Sequence, residues 1–458
     1  MSDALRPLIV GAGPAGIRAA ETLVNAGIKP VVIDEAPAAG GQIYRQRLIP
    51  DERSAQDLYG SEARKATALH ETFAGIRSRI DYLPETLVWN VRDRTLDLTA
   101  GGRTRCLSFT HLILATGATD RVLPFQGWTT PGVFALGGAQ IALKAQGCAI
   151  GEQVVFLGSG PLLYLVAWQY VKAGAHVSAV LDTAPFSTKF HLLRGLLSQP
   201  GVVVRGFRYA AELKARGVSI RFGVEPDRIE GEDRVTGLVW RERGKEYRLS
   251  CDGVGYGFGL RSETQLADLA GCHFVFDRRD RAWRPERDVA GRTSASGVYI
   301  AGDGAGIAGA DAAELAGERA ALALLEDAGR PVDRARVAVV EGKLASLQRL
   351  RDALEAAFPF PEVWASSITD DATLCRCEEI AVGHARAAIR GQGVLELNRL
   401  KALTRVGMGR CQGRMCGSAA AEVLATACGQ PLESVGRLRT QPPIKPIPLE
   451  IKTEGEAA

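Results

Sequence analysis

An α/β fold follows from three features of the 458-residue sequence. The first is Gly11-Ala12-Gly13-Pro14-Ala15-Gly16, a G-x-G-x-x-G turn between an apolar strand and a helix. The second is a similar turn at Gly158-Ser159-Gly160, again between apolar runs. The third is a change of character beyond residue 330, where glycine-punctuated strands give way to helical patterns and four clustered cysteines. Together they predict two Rossmann-like dinucleotide-binding domains followed by a small helical domain. Three domains also suit the length, since single cores rarely grow beyond about 250 residues.

The elements follow in order. Residues 7–10 form a short buried strand, residues 17–26 have helical spacing that Gly27 stops, and Pro30-Val31-Val32-Ile33 is the next strand. A helix is expected around 54–76 and strands near 87–90 and 106–115. A second βαβ unit runs from Val154 to near Asp182. Residues 200–260 alternate apolar and polar positions and read as strands and hairpins. A buried strand at 298–301 leads into Gly302-Asp303-Gly304 and an Ala-rich helix to about 325. Residues 337–358 read as a long charged helix, and short helices fill 375–428. Four prolines within 442–448 make the tail extended, lying along a surface or disordered.

Composition excludes several classes. With 46% hydrophobic and 24% charged residues the chain is a globular protein, not a disordered one. Its 56 Lys+Arg and 52 Asp+Glu leave +4, too little for a nucleic-acid surface or a polybasic anchor. The apolar window 154–181 contains Gly158, Gly160, Pro161 and Lys172, which fit a strand–turn–helix–strand and not a transmembrane segment. No signal peptide is read, so the expected location is cytoplasmic or peripheral at the inner membrane. Nine cysteines cannot all pair, and in the cytoplasm they stay reduced or bind metal.

The first turn has the chemistry of a dinucleotide site. Gly11 permits the tight turn, Gly13 lets backbone approach a pyrophosphate, and Gly16 lets helix and strand pack closely. Asp34 closes the next strand, 23 positions after Gly11, where a carboxylate accepts from the ribose; Glu35 is placed to share that role.

The runs "GAGPAG", "VVIDEAP", "GGQIYR", "LILATGA" and "GVYIAGD" resemble the two-dinucleotide-domain flavoproteins of the glutathione and thioredoxin reductase type. That resemblance implies FAD. It assigns Asp303 to the flavin's ribityl–pyrophosphate region, Gly302 to close approach, and Ala310 to a helix start beneath the isoalloxazine. It places Ala115, Thr116 and Gly117 at the crossing between domains, and Gly41 is expected beside the cofactor. Gln42, a candidate cofactor residue, Tyr44 and Arg45 either line the flavin or pack the loop. The redox cysteine pair of the disulfide reductases is missing after Gly41, which excludes disulfide reduction. Cys106, Cys148, Cys251 and Cys272 are expected as buried small hydrophobes, and Cys428 as core.

The second turn departs from the pattern. Leu163 stands where Gly or Ala allows close packing, although Gly158, Gly160 and Asp182 are retained. An NAD(P) site, an adenylate-only ATP site and a vestigial site all remain open.

Cys375-Arg376-Cys377 and Cys411-Gln412-Gly413-Arg414-Met415-Cys416 place four thiols within 42 residues. Four thiolates hold two irons and two sulfides, and Arg376, Arg410 and Arg414 would offset the charge. A structural zinc site uses the same ligands, but C-x-C with C-x4-C is less typical of it than paired C-x2-C. "CRCEEI" and "GMGRCQGRMCG" resemble the [2Fe-2S] domain of bacterioferritin-associated ferredoxin. With "GGQIYRQ", "GSGPLLYLVA", "VLDTAP" and "PPIKPIPL", the chain resembles the α (A) subunits of opine oxidases, heteromeric D-hydroxyproline dehydrogenases and hydrogen cyanide synthase. The resemblance implies a glycine-oxidase-like FAD β subunit that oxidises the C–N bond, a small ferredoxin-like γ subunit, and an external one-electron or quinone acceptor. No catalytic residue is identified in this chain; its six histidines are scattered and read as structural. Two other readings are a stand-alone NAD(P)H-dependent flavin/iron–sulfur reductase and a non-catalytic assembly or sensing subunit. The expected domains are 1–125 and 286–330 for FAD, 126–285 for the inserted degenerate NAD-like domain, 331–369 for a helical linker, 370–430 for the [2Fe-2S] domain, and 431–458 for the Pro-rich tail.

Overall fold

The computed structural model describes residues 5–47 and 53–448, and the backbone of 452–453. The rest of the Pro-rich tail lies outside the described residues. Five parallel strands form the first sheet, in the order Val298–Ile300, His111–Leu114, Pro7–Val10, Val31–Ile33, Asp81–Leu83. Its near-continuous apolar strands suit burial on both faces. Helix Pro14–Asn25 covers one face and packs on helix Ala310–Asp327, which starts at the expected residue. The chain therefore leaves this domain and returns to it some 180 residues later.

The second sheet is also parallel: Ser219–Phe222, His176–Asp182, Gln153–Ser159, Gly253–Phe258, Val133–Ala135. The two crossings run side by side as the antiparallel pair Ala118–Asp120 and Leu260–Ser262. Leu266, Ala267 and Cys272, expected in the inserted segment, lie in the apolar cluster of Leu8, Val10 and Leu114 from the first sheet.

The hairpin reading of 200–260 needs correction at its start, because Pro200–Ala215 is a helix. Its three consecutive valines look like a strand, but the buried positions Val203, Tyr209 and Leu213 fall on one helical face, and Pro200 sits at the first turn, where it is tolerated. Strands do follow, as the meander Val224–Glu230, Gly237–Glu242, Lys245–Ser250. The buried reading of Cys106 and Cys148 is also overturned, since both are exposed. Cys106 lies on an outer strand, where its thiol donates to Asp97 at 3.0 Å, and Cys148 follows the left-handed Gly147 out of a helical turn.

Helix Arg334–Ala357 leads to the cysteine domain. A short strand pair and three helices, Val382–Gln392, Leu397–Thr404 and Gly417–Cys428, share one apolar cluster with the inserted domain. Two buried indoles fasten them: Trp364 Nε1 donates to the Pro124 carbonyl at 2.8 Å, and Trp128 Nε1 to that of Thr373 at 2.6 Å. Asp268 pairs bidentately with Arg437, and Ile444 is buried with its N–H on the Trp89 carbonyl. The described part of the tail is thus bound down as a strap.

Lys144 is buried, and its Nζ donates to the Ile43 carbonyl at 3.1 Å. Burial lowers its pKa from 10.5 to about 8. Between these values the unfolded chain binds a proton that the folded chain does not, so this group makes stability rise with pH across that window. We expect Lys144→Met to be more stable than the parent at pH 7, by up to ~3 kcal/mol, with the gap closing towards pH 10.5. Urea unfolding at several pH values checks this; parallel pH profiles for the two proteins would refute it.

Candidate functional site

Close backbone approach builds the first glycine turn. Gly11 has φ +106°, and a Cβ there would lie 2.3 Å from the Ala115 carbonyl oxygen; one on Gly16 would lie 1.8 Å from that of Gly11. Gly13 differs. Its φ is −83°, and a Cβ would meet nothing nearer than Gly41 Cα at 3.6 Å. Its missing side chain leaves space instead of relieving a clash, as a phosphate-approach position requires. Helix Pro14–Asn25 starts without a side-chain cap, so its first amides are available to an anion.

Asp34 braces this turn. Oδ2 accepts from the Ala12 N–H at 2.5 Å and Oδ1 from the Ala36 N–H at 2.7 Å. Burial pushes its carboxyl up despite these bonds, and each oxygen keeps a second lone pair. Glu35 is exposed and ion-paired to Lys445 of the strap. The next loop folds back over the turn, where a Cβ on Gly41 would lie 2.9 Å from Gly13 Cα. Gln42 and Arg45 both face the cavity described below, with Arg45 donating to Gln42 at 2.9 Å. Tyr44 is fully buried against Tyr59 and packs the loop.

At the crossing, Thr116 Oγ1 donates to the Glu263 carbonyl at 2.6 Å, and the Glu263 N–H to the Gly117 carbonyl at 3.0 Å. Gly302 has φ +70°, and a Cβ there would lie 2.9 Å from that of Ala15, so both backbone and space favour glycine. Asp303 Oδ1 accepts from the Ala308 and Gly309 N–H groups at 2.8 and 3.0 Å, and burial pushes its carboxyl up. Beside Ala310, Asp311 holds Lys65 at 2.7 and 2.8 Å, a pair that no sequence motif announces. All the FAD residues expected from sequence, except Ala12 and Gly16, line one cavity of about 1350 Å³.

The second turn is built differently. A Cβ on Gly158 would lie 1.8 Å from the Gly257 carbonyl oxygen, so this glycine is demanded by the neighbouring strand. Asp182 is fully buried and accepts from the Tyr164 hydroxyl at 2.7 Å, Lys189 Nζ at 2.9 Å and the Ala184 N–H at 2.9 Å. Phe358, beyond helix Arg334–Ala357, packs over Lys189 at 3.7 Å. Gly158, Gly160 and Asp182 do not line the cavity. Two side chains and one backbone amide of this chain hold the acid inward.

The four cysteines come together as a string. Cys416 stands as donor to both Cys375 and Cys411, holding the Cys375 thiol down to about 6 and the Cys411 thiol down to about 5, while its own is pushed up. Cys411 also interacts with Cys377, which burial pushes up. Backbone amides aim at the sulfurs: those of Gly407, Glu378 and Cys377 at Cys375, and those of Met415 and Gly413 at Cys411. Such amides favour thiolate, the form that binds iron. Gly409 is required, since a Cβ would lie 2.3 Å from that of Cys377. Among the described residues no three Cys, His, Asp or Glu side chains converge on a single ion position. Two thiols from each of two loops supply the four ligands that a two-iron cluster needs.

The arginines around this loop differ in burial, and Arg376 lines the same cavity as Arg414. Arg376 and Arg410 are exposed; Arg414 is buried, with Nε on Glu263 at 2.5 Å and Nη1 on the Ile444 carbonyl at 2.6 Å. Arg261, on the returning crossing, donates to the Gly413 and Arg414 carbonyls at 3.2 and 3.0 Å. Local pattern offers no signal for it, because it lies about 150 residues before the loop. Arg414 and Met415 line the same cavity as Gly11, Thr116 and Asp303.

The pyridine nucleotide-disulphide oxidoreductase family matches residues 6–342. The chain belongs to that family. A BFD-like [2Fe-2S] binding domain matches residues 373–426, enclosing all four cysteines. The A subunit of opine oxidase from Rhizobium meliloti is 38% identical, over 96% of this chain and 86% of that protein. The HcnB subunit of hydrogen cyanide synthase from Pseudomonas aeruginosa is 33% identical, over 97% of each. L-proline dehydrogenase from P. horikoshii shares the fold, with a TM-score of 0.71 at 21% identity over 97% of this chain and 78% of that one. The protein is accordingly an oxidoreductase subunit of the group that holds the opine oxidase A and HcnB proteins, with FAD and [2Fe-2S] as cofactors.

Two outcomes follow. Gly13→Ala keeps the apoprotein's melting temperature but loses bound FAD, whereas Gly317→Ala, whose Cβ would lie 1.9 Å from the Ala15 carbonyl oxygen, costs about 1–3 kcal/mol of stability. Flavin absorbance and thermal melting separate the two, and equal melting would refute the distinction. Arg414→Gln keeps the cluster but lowers its midpoint potential, because a buried positive charge that favours the reduced state is removed. An EPR-monitored redox titration reads the shift; an unchanged midpoint would contradict it.

Proposed function

We propose that this chain is the electron-carrying subunit of a heteromeric dye- or quinone-linked dehydrogenase. Substrate oxidation takes place at a second flavin, on a glycine-oxidase-like β subunit, and a small ferredoxin-like γ subunit completes the complex. The donor is an opine, hydroxyproline or a related amino acid, oxidised at a CH–NH or CH–NH2 bond. The observation that carries this reading is the shared wall. Arg414 and Met415, between cysteines 411 and 416, line the cavity that begins at the first glycine turn.

In this reading Gly11, Gly13 and the start of helix Pro14–Asn25 hold the pyrophosphate, Asp34 the ribose, and Asp303 with Ala310 the flavin end. Cys375, Cys377, Cys411 and Cys416 hold the cluster. FAD takes up electron pairs and releases them singly, and a [2Fe-2S] cluster carries one at a time. The protein's part is spacing and shielding. Thr116 is bonded to the Glu263 backbone, and the Glu263 side chain to Arg414, so one residue fixes the crossing against the cluster loop. The absence of a free acid at the second turn supports electron entry from a partner, not from NAD(P)H, since Asp182 is held by Tyr164 and Lys189.

Purification of the complex from its host, with flavin absorbance and iron analysis, tests the proposal. Recovery of the chain alone, iron-free and zinc-loaded, would sink it. Within the complex, Cys411→Ser should slow dye reduction by more than about tenfold while substrate-driven reduction of the partner's flavin continues. Equal loss of both steps would count against the division of labour.

A further inference from the structure

Two short helices, Leu192–Ser198 and Pro200–Ala215, follow a 3-10 turn, Phe186–His191, on the outside of the inserted domain. Their inner faces are well packed. A Cβ on Gly195 would lie 3.1 Å from Val203 and 3.3 Å from Leu350 of helix Arg334–Ala357, so the glycine lets the layers close. The outer face is the reverse of a solvated one. Phe186, Phe190, Leu193 and Leu197 recur at helical spacing and are 69, 61, 61 and 91% exposed; Val204 and Phe207 continue the stripe on the second helix. Six large side chains at this exposure amount to several hundred Å² of apolar surface, the size at which a patch marks an interaction site.

The charge around the stripe has one sign. Residues 186–216 carry Lys189, Arg194, Arg205, Arg208, Lys214 and Arg216 against the single acid Glu212. Lys189 and Arg205 are turned inward to Asp182 and Glu62, and Arg208 pairs with Glu212. Arg194, Lys214 and Arg216 are exposed and enter no ion pair among the described residues. Among those residues no helix is long and apolar enough to cross a bilayer. Apolar side chains facing outward from paired short helices, flanked by unpaired cations, are the pattern of a surface that lies in a lipid interface.

We propose that the outer face of residues 186–207 docks on an anionic membrane surface, with the phenylalanines and leucines in the acyl boundary and Arg194, Lys214 and Arg216 on the headgroups. Phe186, Leu192, Val202 and Phe207 also line the cavity that reaches the FAD turn, so docking here would set one mouth of that cavity against the bilayer. The proposal does not depend on the electron-carrier reading, and its test involves no electron transfer.

The full chain is sedimented with sucrose-loaded vesicles of phosphatidylglycerol and phosphatidylethanolamine, and with vesicles of phosphatidylcholine alone. Binding to the anionic vesicles is expected, with a fall of about tenfold or more for Leu193→Ser/Leu197→Ser. Arg194→Glu should weaken binding in low salt and less so in 0.5 M salt (about a 4 Å Debye length). Thermal melting and flavin content verify that both variants fold. A parent chain that stays in the supernatant, or a double serine variant that binds equally, overturns the proposal. So does light scattering that finds a dimer which the double variant dissolves, since the stripe would then belong to a second copy. Loss of a co-expressed partner protein from the double variant, with no vesicle binding by the parent, would overturn it in favour of a protein–protein interface.

Discussion

The flavin half of the molecule depends on one backbone contact. Helix Ala310–Asp327 lies so close to helix Pro14–Asn25 that a Cβ on Gly317 would be 1.9 Å from the Ala15 carbonyl oxygen. These helices come from segments some 300 residues apart, and their approach brings Gly302 and Asp303 to the same cavity as Gly11 and Gly13. A wider spacing would separate the two ends of the nucleotide site. Gly302 serves the same closeness, since a Cβ there would lie 2.9 Å from that of Ala15, while Gly16 lets the first helix approach the turn at Gly11.

A second constraint joins the flavin half to the cysteine domain. Glu263 offers its backbone to Thr116 and its carboxylate to Arg414, while Arg261, two residues earlier, fastens the carbonyls of the loop between cysteines 411 and 416. Arg414 is buried and Arg261 half-buried, a costly placement for a cation unless an anion is nearby. Glu263 supplies one negative charge. The thiolates supply more, so the two arginines and the cysteine loop account for each other.

Much of this could be read from the chain. Both glycine turns, the strands whose ends carry Asp34 and Asp182, and the two close-spaced cysteine pairs follow from local pattern, because each is defined within a few residues, while the helix start at Ala310 comes from the family resemblance. What escaped was non-local. Arg261 and Lys65 find their partners across 153 and 246 residues, and no spacing rule reaches so far. The helix Pro200–Ala215 was hidden by three valines whose strand preference is overridden by the packing of one face. Asp182 shows the opposite failure. Its position follows the nucleotide-binding pattern, but Tyr164 and Lys189 turn it inward, and neither belongs to the motif.

The strap gives the cavity an unusual history. Ile444 and Lys445 form part of its wall, and Lys445 pairs with Glu35 across 410 residues of sequence. On a ribosome, the glycine turn emerges near the start of synthesis and this wall only after the cysteine domain. The wall around the first glycine turn is therefore complete only when residues as late as Lys445 have been made.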